Sequence, residues 1–402
     1  MKMRPFKELI RVEEAMDIIA RSVVPMKGTE KVPTDESAGR VLSKDIKAPF
    51  NVPSFDRAAM DGYAVRAKDV FKASQYHPVV LKIIEEVYAG QVPKKAVVAG
   101  TCAKLATGAP LPHGADAIVM VEKTEEEKGR VKIFSGQHPG GDVSKIGCDM
   151  KKGEAALKRG EILAPGKVGV LAALGMTEAE VFKRPVVGII PTGNEVVELG
   201  KRISEAKVFD INTHTISAVV KENGGLPKRY GIIEDTMAGL KGALEYLDDC
   251  DLLVFSGGSS VGERDLLVDI IKSKGEMLFH GVLVKPGKPT LFGLVKGKPV
   301  FGLPGYPTSC LSDAYLFLVP GLRRMCGLPV MVRKVRAKMG ARFFSVLGRT
   351  KMLTVRLEEG IAYPVFKESE TITSLSKADG FVVVGENRDI LEKGEEVEVI
   401  LL

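Results

Sequence analysis

Between residues 186 and 309 three short apolar runs each end in a loop of glycine, hydroxyl and proline residues. No other feature of the chain constrains its fold as tightly. Residues 186–190 lead into Pro191-Thr192-Gly193-Asn194-Glu195, and residues 252–255 into Ser256-Gly257-Gly258-Ser259-Ser260-Val261-Gly262. Residues 299–303 lead into Pro304-Gly305-Tyr306-Pro307-Thr308-Ser309, and helical patterns at 211–223, 239–247 and 265–274 fall between these runs. Apolar runs this short suit buried strands, and strand–loop–helix alternation predicts an open, largely parallel sheet with helices on both faces. In such a sheet ligands sit beyond the carboxyl ends of the strands. Glycine lets backbone N–H groups converge there without a Cβ in the way, and Ser and Thr hydroxyls add donors. One such loop is commonly a tight turn. Three at one edge point to an oxyanion site.

Familiar nucleotide motifs are missing from the same region. Five residues separate Gly281 from Gly287 where a Walker loop requires four, and Pro289 stands where that motif needs Ser or Thr. No G-x-G-x-x-G follows a strand there either, so ATPase and dinucleotide-dehydrogenase readings lose their main support. What lies between two of the glycine loops is Lys285-Pro286-Gly287-Lys288-Pro289. Its stiff frame pre-orders two lysines, so less entropy is lost when they hold an anion. Carboxylates occur where magnesium ligands would be useful: Glu195 ends the first loop, Asp265 follows the second, and Asp61, Asp149 and Asp235 are flanked by turn-like sequence. Asp265 could equally favour a helix N-terminus, and Asp61-Gly62 could be a simple turn.

Outside this region the pattern changes. Val12, Ala15, Met16, Ile19 and Val23 recur at helical spacing, with Pro25 and Gly28 as stop signals. From about residue 48 to 142 short β-runs such as 79–84 and 117–121 predict a small β-rich domain, and 167–174 is again helical. After about residue 328 alternating runs at 353–357, 381–384 and 397–400 predict a small barrel or sandwich. The 402 residues exceed what one core usually supports, so about two to four domains are expected.

Composition removes other readings. Five scattered cysteines without a C-x-x-C, and five histidines never paired at helical spacing, support neither a disulfide framework nor a zinc site. A reducing cytoplasm is the expected location. No apolar run reaches the roughly 18 residues of a membrane span, and the N-terminus leads into a charged helical pattern, so neither membrane insertion nor secretion is expected. The net charge is +7, but the basic residues are interspersed with 51 acidic ones and there is no Trp, so nucleic-acid binding is not expected. No His stands beside a strand-end Ser as a catalytic triad would require.

The segment Pro53-Ser54-Phe55-Asp56-Arg57-Ala58-Ala59-Met60-Asp61-Gly62-Tyr63-Ala64-Val65 closely resembles the signature of the molybdopterin molybdenumtransferase family, MoeA and the E domain of gephyrin. The likeness continues in order through Ala106-Thr107-Gly108-Ala109-Pro110, the loop at Pro191, Phe209-Asp210-Ile211-Asn212, the loop at Ser256, Lys285 to Pro289 and Leu303-Pro304-Gly305-Tyr306-Pro307. It covers essentially the whole chain. The resemblance implies a multidomain α/β plus β chain. An elongated linker domain is split into 1–47 and 143–184, and a β-rich domain, 48–142, is inserted between them. An open, mostly parallel α/β molybdopterin-binding domain, 185–328, and a C-terminal β-barrel, 329–402, complete the chain.

The reaction implied is insertion of molybdate, or tungstate, into adenylylated molybdopterin with Mg2+ as cofactor and release of AMP. A homodimer and a partner molybdopterin adenylyltransferase go with it. Carried onto this chain, the resemblance makes Asp61, Glu195, Asp235, Asp265, Lys285 and Lys288 the catalytic residues, with Glu195 and Asp265 as metal ligands. Cofactor binding would fall to Thr107, Thr192, Gly193, Asp210, Asn212, Ser256, Gly257, Gly258, Ser259, Pro304, Gly305, Ser309, Arg349 and Ser374. Two departures stand near these positions: Asn194 where Asp is frequent, and Tyr306 where Asn is common. Adenylylation of molybdopterin from ATP and a non-catalytic scaffold are the alternative readings.

Overall fold

The structure, a computed structural model, describes residues 9–257, 266–330, 333–365 and 372–402. Contacts divide the chain into two compact units. One comprises the chain up to Glu30, Gly39–Val41 and Val181–Leu402; the other is Lys31–Ala38 with Leu42–Glu180.

The first unit holds the sheet expected from the glycine-loop rhythm. Its six strands lie in the spatial order Leu226–Arg229, Val186–Pro191, Leu252–Ser256, Lys298–Leu303, Leu291–Val295 and Gly275–His280. The first four pair in parallel and the last two join antiparallel. Side chains alternate between two cores, as a period of two requires. Val187, Ile189, Leu252, Val254, Phe301 and Leu303 enter one, and Ile190, Leu253, Phe255 and Val300 enter the other. Burial on both faces is what makes these strands continuous apolar runs. The helices Asn212–Glu222, Met237–Ala243 and Leu266–Lys274 occupy the three predicted segments within a few residues. The helix Val12–Ser22, expected to open the 1–47 segment, buries Val12, Ala15 and Ile19 in the same core as Ile216, Phe301 and Phe317.

The two edge strands of this sheet carry shorter apolar signatures than the four between them, Gly275–His280 having only Met277-Leu278-Phe279. Leu226–Arg229 contains Pro227 and is mostly exposed, which an edge strand tolerates because one side of its backbone needs no ladder partner. Gly275–His280 is likewise an edge strand.

Past residue 333 the choice between barrel and sandwich resolves to a closed five-stranded barrel. Lys334–Met339, Glu396–Leu401, Gly380–Val384, Thr350–Glu358 and Ile361–Pro364 pair in a ring. Its interior is filled by Ala337, Met339, Leu353, Val355, Val382 and Val399. A two-residue strand from the α/β region, Val284–Lys285, adds to Thr350–Glu358 in parallel and puts Lys285 beside Lys351 in register.

The second unit carries another six-stranded sheet, ordered Ala117–Met120, Gly62–Val65, Thr101–Leu105, Val79–Val87, Arg130–Ile133 and Thr124–Glu127. Tyr63, Val65, Cys102 and Val119 pack on one face, and Ala64, Ala103 and Ile118 on the other. The helix Pro165–Ala173 belongs to this unit. Among the described residues no helix is long and apolar enough to cross a membrane.

Candidate functional site

The three glycine loops of the first unit start level with one another. Pro191 is the register partner of Ser256, and Ser256 is the partner of Leu303, so all three chains leave the sheet at one height. The loops then stitch together. Thr192 N–H donates to Ser256 O at 2.9 Å and Gly257 N–H donates to Leu303 O at 3.1 Å. Asn212, at the start of its helix, donates from Nδ2 to Gly305 O at 2.8 Å. Asp210 accepts the Thr213 N–H at 3.0 Å and so fixes the same helix start. Gly257 must be glycine: its φ is +91°, and a Cβ there would stand 2.4 Å from Thr192 O. Gly193, at φ +139°, leaves room for the Glu195 carboxylate, whose oxygens would be 2.8 Å from a Cβ. Thr192 Oγ1, Asn212 Oδ1 and Thr213 Oγ1 are buried and have no hydrogen-bond partner. Orphaned polar atoms of this kind are rare in native interiors and suit a ligand cradle.

Asp235 follows on. Thr192 bridges Ile233 in parallel, and Ile233 N–H donates to Pro191 O, so the segment bearing Asp235 runs beside the first loop. Gly258, Ser259 and Asp265 lie outside the described residues.

The lysine loop is held from beneath by a residue the sequence reading overlooked. Asp313 ends the helix Pro307–Asp313, is fully buried, and has its carboxyl against the Cα of Gly287. A Cβ on Gly287, where φ is +113°, would fall 2.1 Å from Asp313 Oδ1. Asp313 Oδ2 bonds the Thr290 hydroxyl, and that hydroxyl also reaches Gly287 O at 3.0 Å. Burial pushes the Asp313 carboxyl well above the usual carboxylate range, against the Thr290 bond that lowers it. The one signal in the sequence is an acid inside the apolar run that follows Ser309. Helical spacing alone does not show what it packs against.

The remaining candidates of this unit meet through packing. Ser309, 4% exposed, lies on Pro307–Asp313, which packs against the short helix Ile372–Lys377 bearing Ser374, itself 2% exposed. Pro304 is buried at the start of the third loop. Lys288 belongs to the hairpin closed by Val282 N–H donating to Lys288 O at 3.0 Å. Arg349 lies with Lys285 on the wall of a pocket of about 230 Å3.

Two further candidates form a clasp in the other unit. Asp61 Oδ1 accepts both the backbone N–H of Thr107, at 2.6 Å, and its hydroxyl, at 2.7 Å. Those two bonds, backbone first, hold the Asp61 carboxyl below its ordinary value. Gly62 is not the pivot of a turn. It lies in a strand, where a Cβ would be 2.2 Å from Val119 O. Asp56 of the same signature accepts Ile146 N–H at 2.7 Å and pairs with Lys145 at 2.9 Å, which lowers its pKa too.

Among the described residues no three His, Cys, Asp or Glu side chains gather as a metal-binding group. Glu195 nonetheless offers the hard oxygen that magnesium prefers, over a loop rich in backbone donors, and magnesium ordinarily completes its shell with phosphate oxygens and water.

Comparison with known proteins matches the MoeA N-terminal region (domains I and II) to residues 10–175, a probable molybdopterin binding domain to 188–324, and the MoeA C-terminal region (domain IV) to 336–402. A putative molybdopterin biosynthesis protein of Methanocaldococcus jannaschii is 34% identical over the full length of both chains. A molybdopterin molybdenumtransferase of Staphylococcus aureus is 30% identical, covering 98% of this chain and 95% of its own. A solved molybdopterin biosynthesis MoeA protein from Pyrococcus horikoshii superposes with a TM-score of 0.86 at 40% identity, covering 98% of this chain and 99% of that one.

Proposed function

The chain belongs to the MoeA family, and on that premise we propose that it is a molybdopterin molybdenumtransferase of molybdenum cofactor biosynthesis, placing molybdate, or tungstate, on the dithiolene of adenylylated molybdopterin with release of AMP. The observation that carries the reading is the common height of the three loops at the carboxyl edge of the sheet, Pro191, Ser256 and Leu303 in register.

Molybdate is a tetrahedral dianion and the pterin nucleotide is already anionic, so bringing them together requires fixed positive charge and oriented N–H donors. Lys285 and Lys288 supply the charge from a loop that Thr290 and Asp313 hold in shape. Ser309, Ser374 and Arg349 complete the anion contacts, and Thr192, Gly193, Ser256, Gly257 and Gly305 present the loop backbone to the nucleotide. Magnesium, when bound, neutralises phosphate charge and polarises the phosphoanhydride. Glu195 and Asp265 would hold it, with Asp235 and Asp61 as further reaction carboxylates. The protein needs no thiol of its own, because the pterin brings the sulfur. Four of the five cysteines are buried, in keeping with this: burial pushes Cys102 and Cys326 up to about 12 and raises Cys250 and Cys310. The four-part division at residues 47, 142, 184 and 328, the homodimer and the cytoplasmic location belong to the same proposal.

The test incubates purified protein with adenylylated molybdopterin, magnesium and molybdate, with tungstate in parallel, and follows AMP and metal-loaded pterin. Both products should form, and Lys288→Ala should weaken the dependence on oxyanion. If neither product rises above background the reading fails. Consumption of ATP with unadenylylated pterin would make the chain an adenylyltransferase instead. Pterin binding that survives loss of the carboxylates, without turnover, would make it a scaffold.

A further inference from the structure

The residues proposed to hold the ligand are charged, hydroxyl-bearing, Asn, Gly or Pro, and none is aromatic. Such groups serve phosphates and oxyanions. A pterin nucleotide also carries flat nitrogen heterocycles, a pterin and an adenine, and nothing named so far offers them a face. Tyr306 stands where one would be useful. It sits in the third loop between Gly305 and Pro307 and is 61% exposed. Its backbone is fixed on both sides: Asn212 Nδ2 donates to Gly305 O at 2.8 Å, and Cys310 N–H donates to Tyr306 O at 2.8 Å. A Cβ on Gly305 would lie 3.5 Å from the Cα of Gly257, so the third loop runs against the second. The Tyr306 side chain, in contrast, has no hydrogen bond or ring contact among the described residues.

Local stability does not explain a tyrosine here. Tyr306 is the N-cap of the helix Pro307–Asp313 and makes no side-chain cap bond. Asn, the common residue at this position of the motif, is among the best caps because its side chain accepts a backbone N–H of the first turn. Tyr gives up that bond and, being exposed, gains little burial in return. A residue that breaks a local rule without compensation inside the fold points to a functional contact. The same sheet edge carries the buried, unpartnered Thr192 Oγ1, Asn212 Oδ1 and Thr213 Oγ1, and Asn212 is the residue that holds Gly305. We propose that Tyr306 is the stacking platform for a flat nitrogen heterocycle of the bound nucleotide. Stacking of this kind needs a π-face on a fixed backbone, and the phenol hydroxyl keeps the free ring compatible with water. The proposal rests on the reading that the three loops cradle a pterin nucleotide, and it adds the group that would hold a ring.

Calorimetric and NMR titrations of the full chain with AMP, 6-carboxypterin and ribose 5-phosphate test it. Ribose 5-phosphate presents the phosphate without a ring, and Tyr306→Asn restores a capping residue, so the helix is kept. That variant should weaken AMP or the pterin about tenfold, the scale of one lost base–aromatic stack, and leave ribose 5-phosphate within about twofold. Tyr306→Phe should keep all three within about threefold, since the ring face survives. Ring protons of the stacked probe should shift upfield on binding to the parent and to Tyr306→Phe but not to Tyr306→Asn. A purely structural role for Tyr306 would not move that signal. A loss confined to AMP puts adenine on the platform, and one confined to 6-carboxypterin puts the pterin there. Loss of both gives a platform that takes either ring. Unchanged affinity for both ring probes in Tyr306→Asn overturns the proposal. An equal loss of ribose 5-phosphate overturns it too, as does a parent protein that binds neither ring probe. Binding is read without turnover, so its failure is separable from a failure of metal insertion. A parent that stacks a probe but yields neither AMP nor loaded pterin would refute the proposed reaction and leave the platform standing.

Discussion

Two loops, one in each unit, are fastened by an aspartate, and the fastenings are electrostatic opposites. Asp61 is exposed, holds the Thr107 loop as a carboxylate through two short bonds, and has its pKa lowered by them. Asp313 is fully buried, supports the Lys285 to Pro289 loop through Thr290, and has its pKa raised by burial. Where water can share the charge, hydrogen bonds to the anion decide the ionisation. Where it cannot, desolvation decides and the pKa rises.

Glycine is the other shared device, and it gives the largest expected effects. Gly62→Ala drives a Cβ to 2.2 Å from Val119 O, a backbone atom that cannot swing aside. It should destabilise the β-rich unit by about 3 kcal/mol, seen as faster hydrogen exchange in the strands Gly62–Val65 and Ala117–Met120. Gly287→Ala meets the side chain of Asp313 instead, at 2.1 Å and at a φ of +113°. About 2 kcal/mol is expected in denaturant unfolding. If the clash with Asp313 is its main cause, adding Asp313→Ala should recover part of that loss. Strict additivity of the two would break the picture of a carboxyl packed under the loop.

The pH responses should run in opposite directions. The Asp313 pKa is raised in the fold. Its contribution to stability is therefore full below the unfolded value of about 4 and is lost as pH rises through the folded value. Asp313→Asn keeps an acceptor for the Thr290 hydroxyl without a carboxyl to ionise. Its thermal midpoint should exceed that of the parent at pH 8, and the gap should close toward pH 4. A gap independent of pH would mean that Asp313 is ionised in the fold. The Asp61 pKa is lowered, so its contribution is present above the unfolded value and is lost as pH falls through the folded one. The smallest effect belongs to Thr107→Val, which removes one of the two bonds. The Asp61 carboxyl should then titrate at higher pH by NMR, with little change in unfolding.

Much of the α/β region could be read in advance because its signals are local. Continuous apolar runs such as Val186-Val187-Gly188-Ile189-Ile190 mark strands buried on both faces, and glycines mark the loops where backbones approach closely. The edge strand Leu226–Arg229 escaped because a strand with an open side need not be apolar, and Gly275–His280 because Met277-Leu278-Phe279 is too short a run to mark a strand. Asp61 was readable as a candidate, but its clasp on Thr107 was not, since strand pairing brings the two together. Asp313 had the opposite fate: an acid in an apolar helix is visible, yet nothing in the sequence says that it lies under Gly287.

By itself, then, the sequence determined the strand and helix periods, the three glycine-rich loops and the stiff Pro-Gly-Pro frame between two of them. Each of these is a property of neighbouring residues and backbone stereochemistry. Only the tertiary structure decided that the loops leave the sheet at one height, that Asp313 sits beneath the lysine loop, and that Lys285 stands beside Lys351 in register. Those adjacencies come from strand register and barrel closure, which the burial of whole faces selects over the full chain and no local pattern encodes.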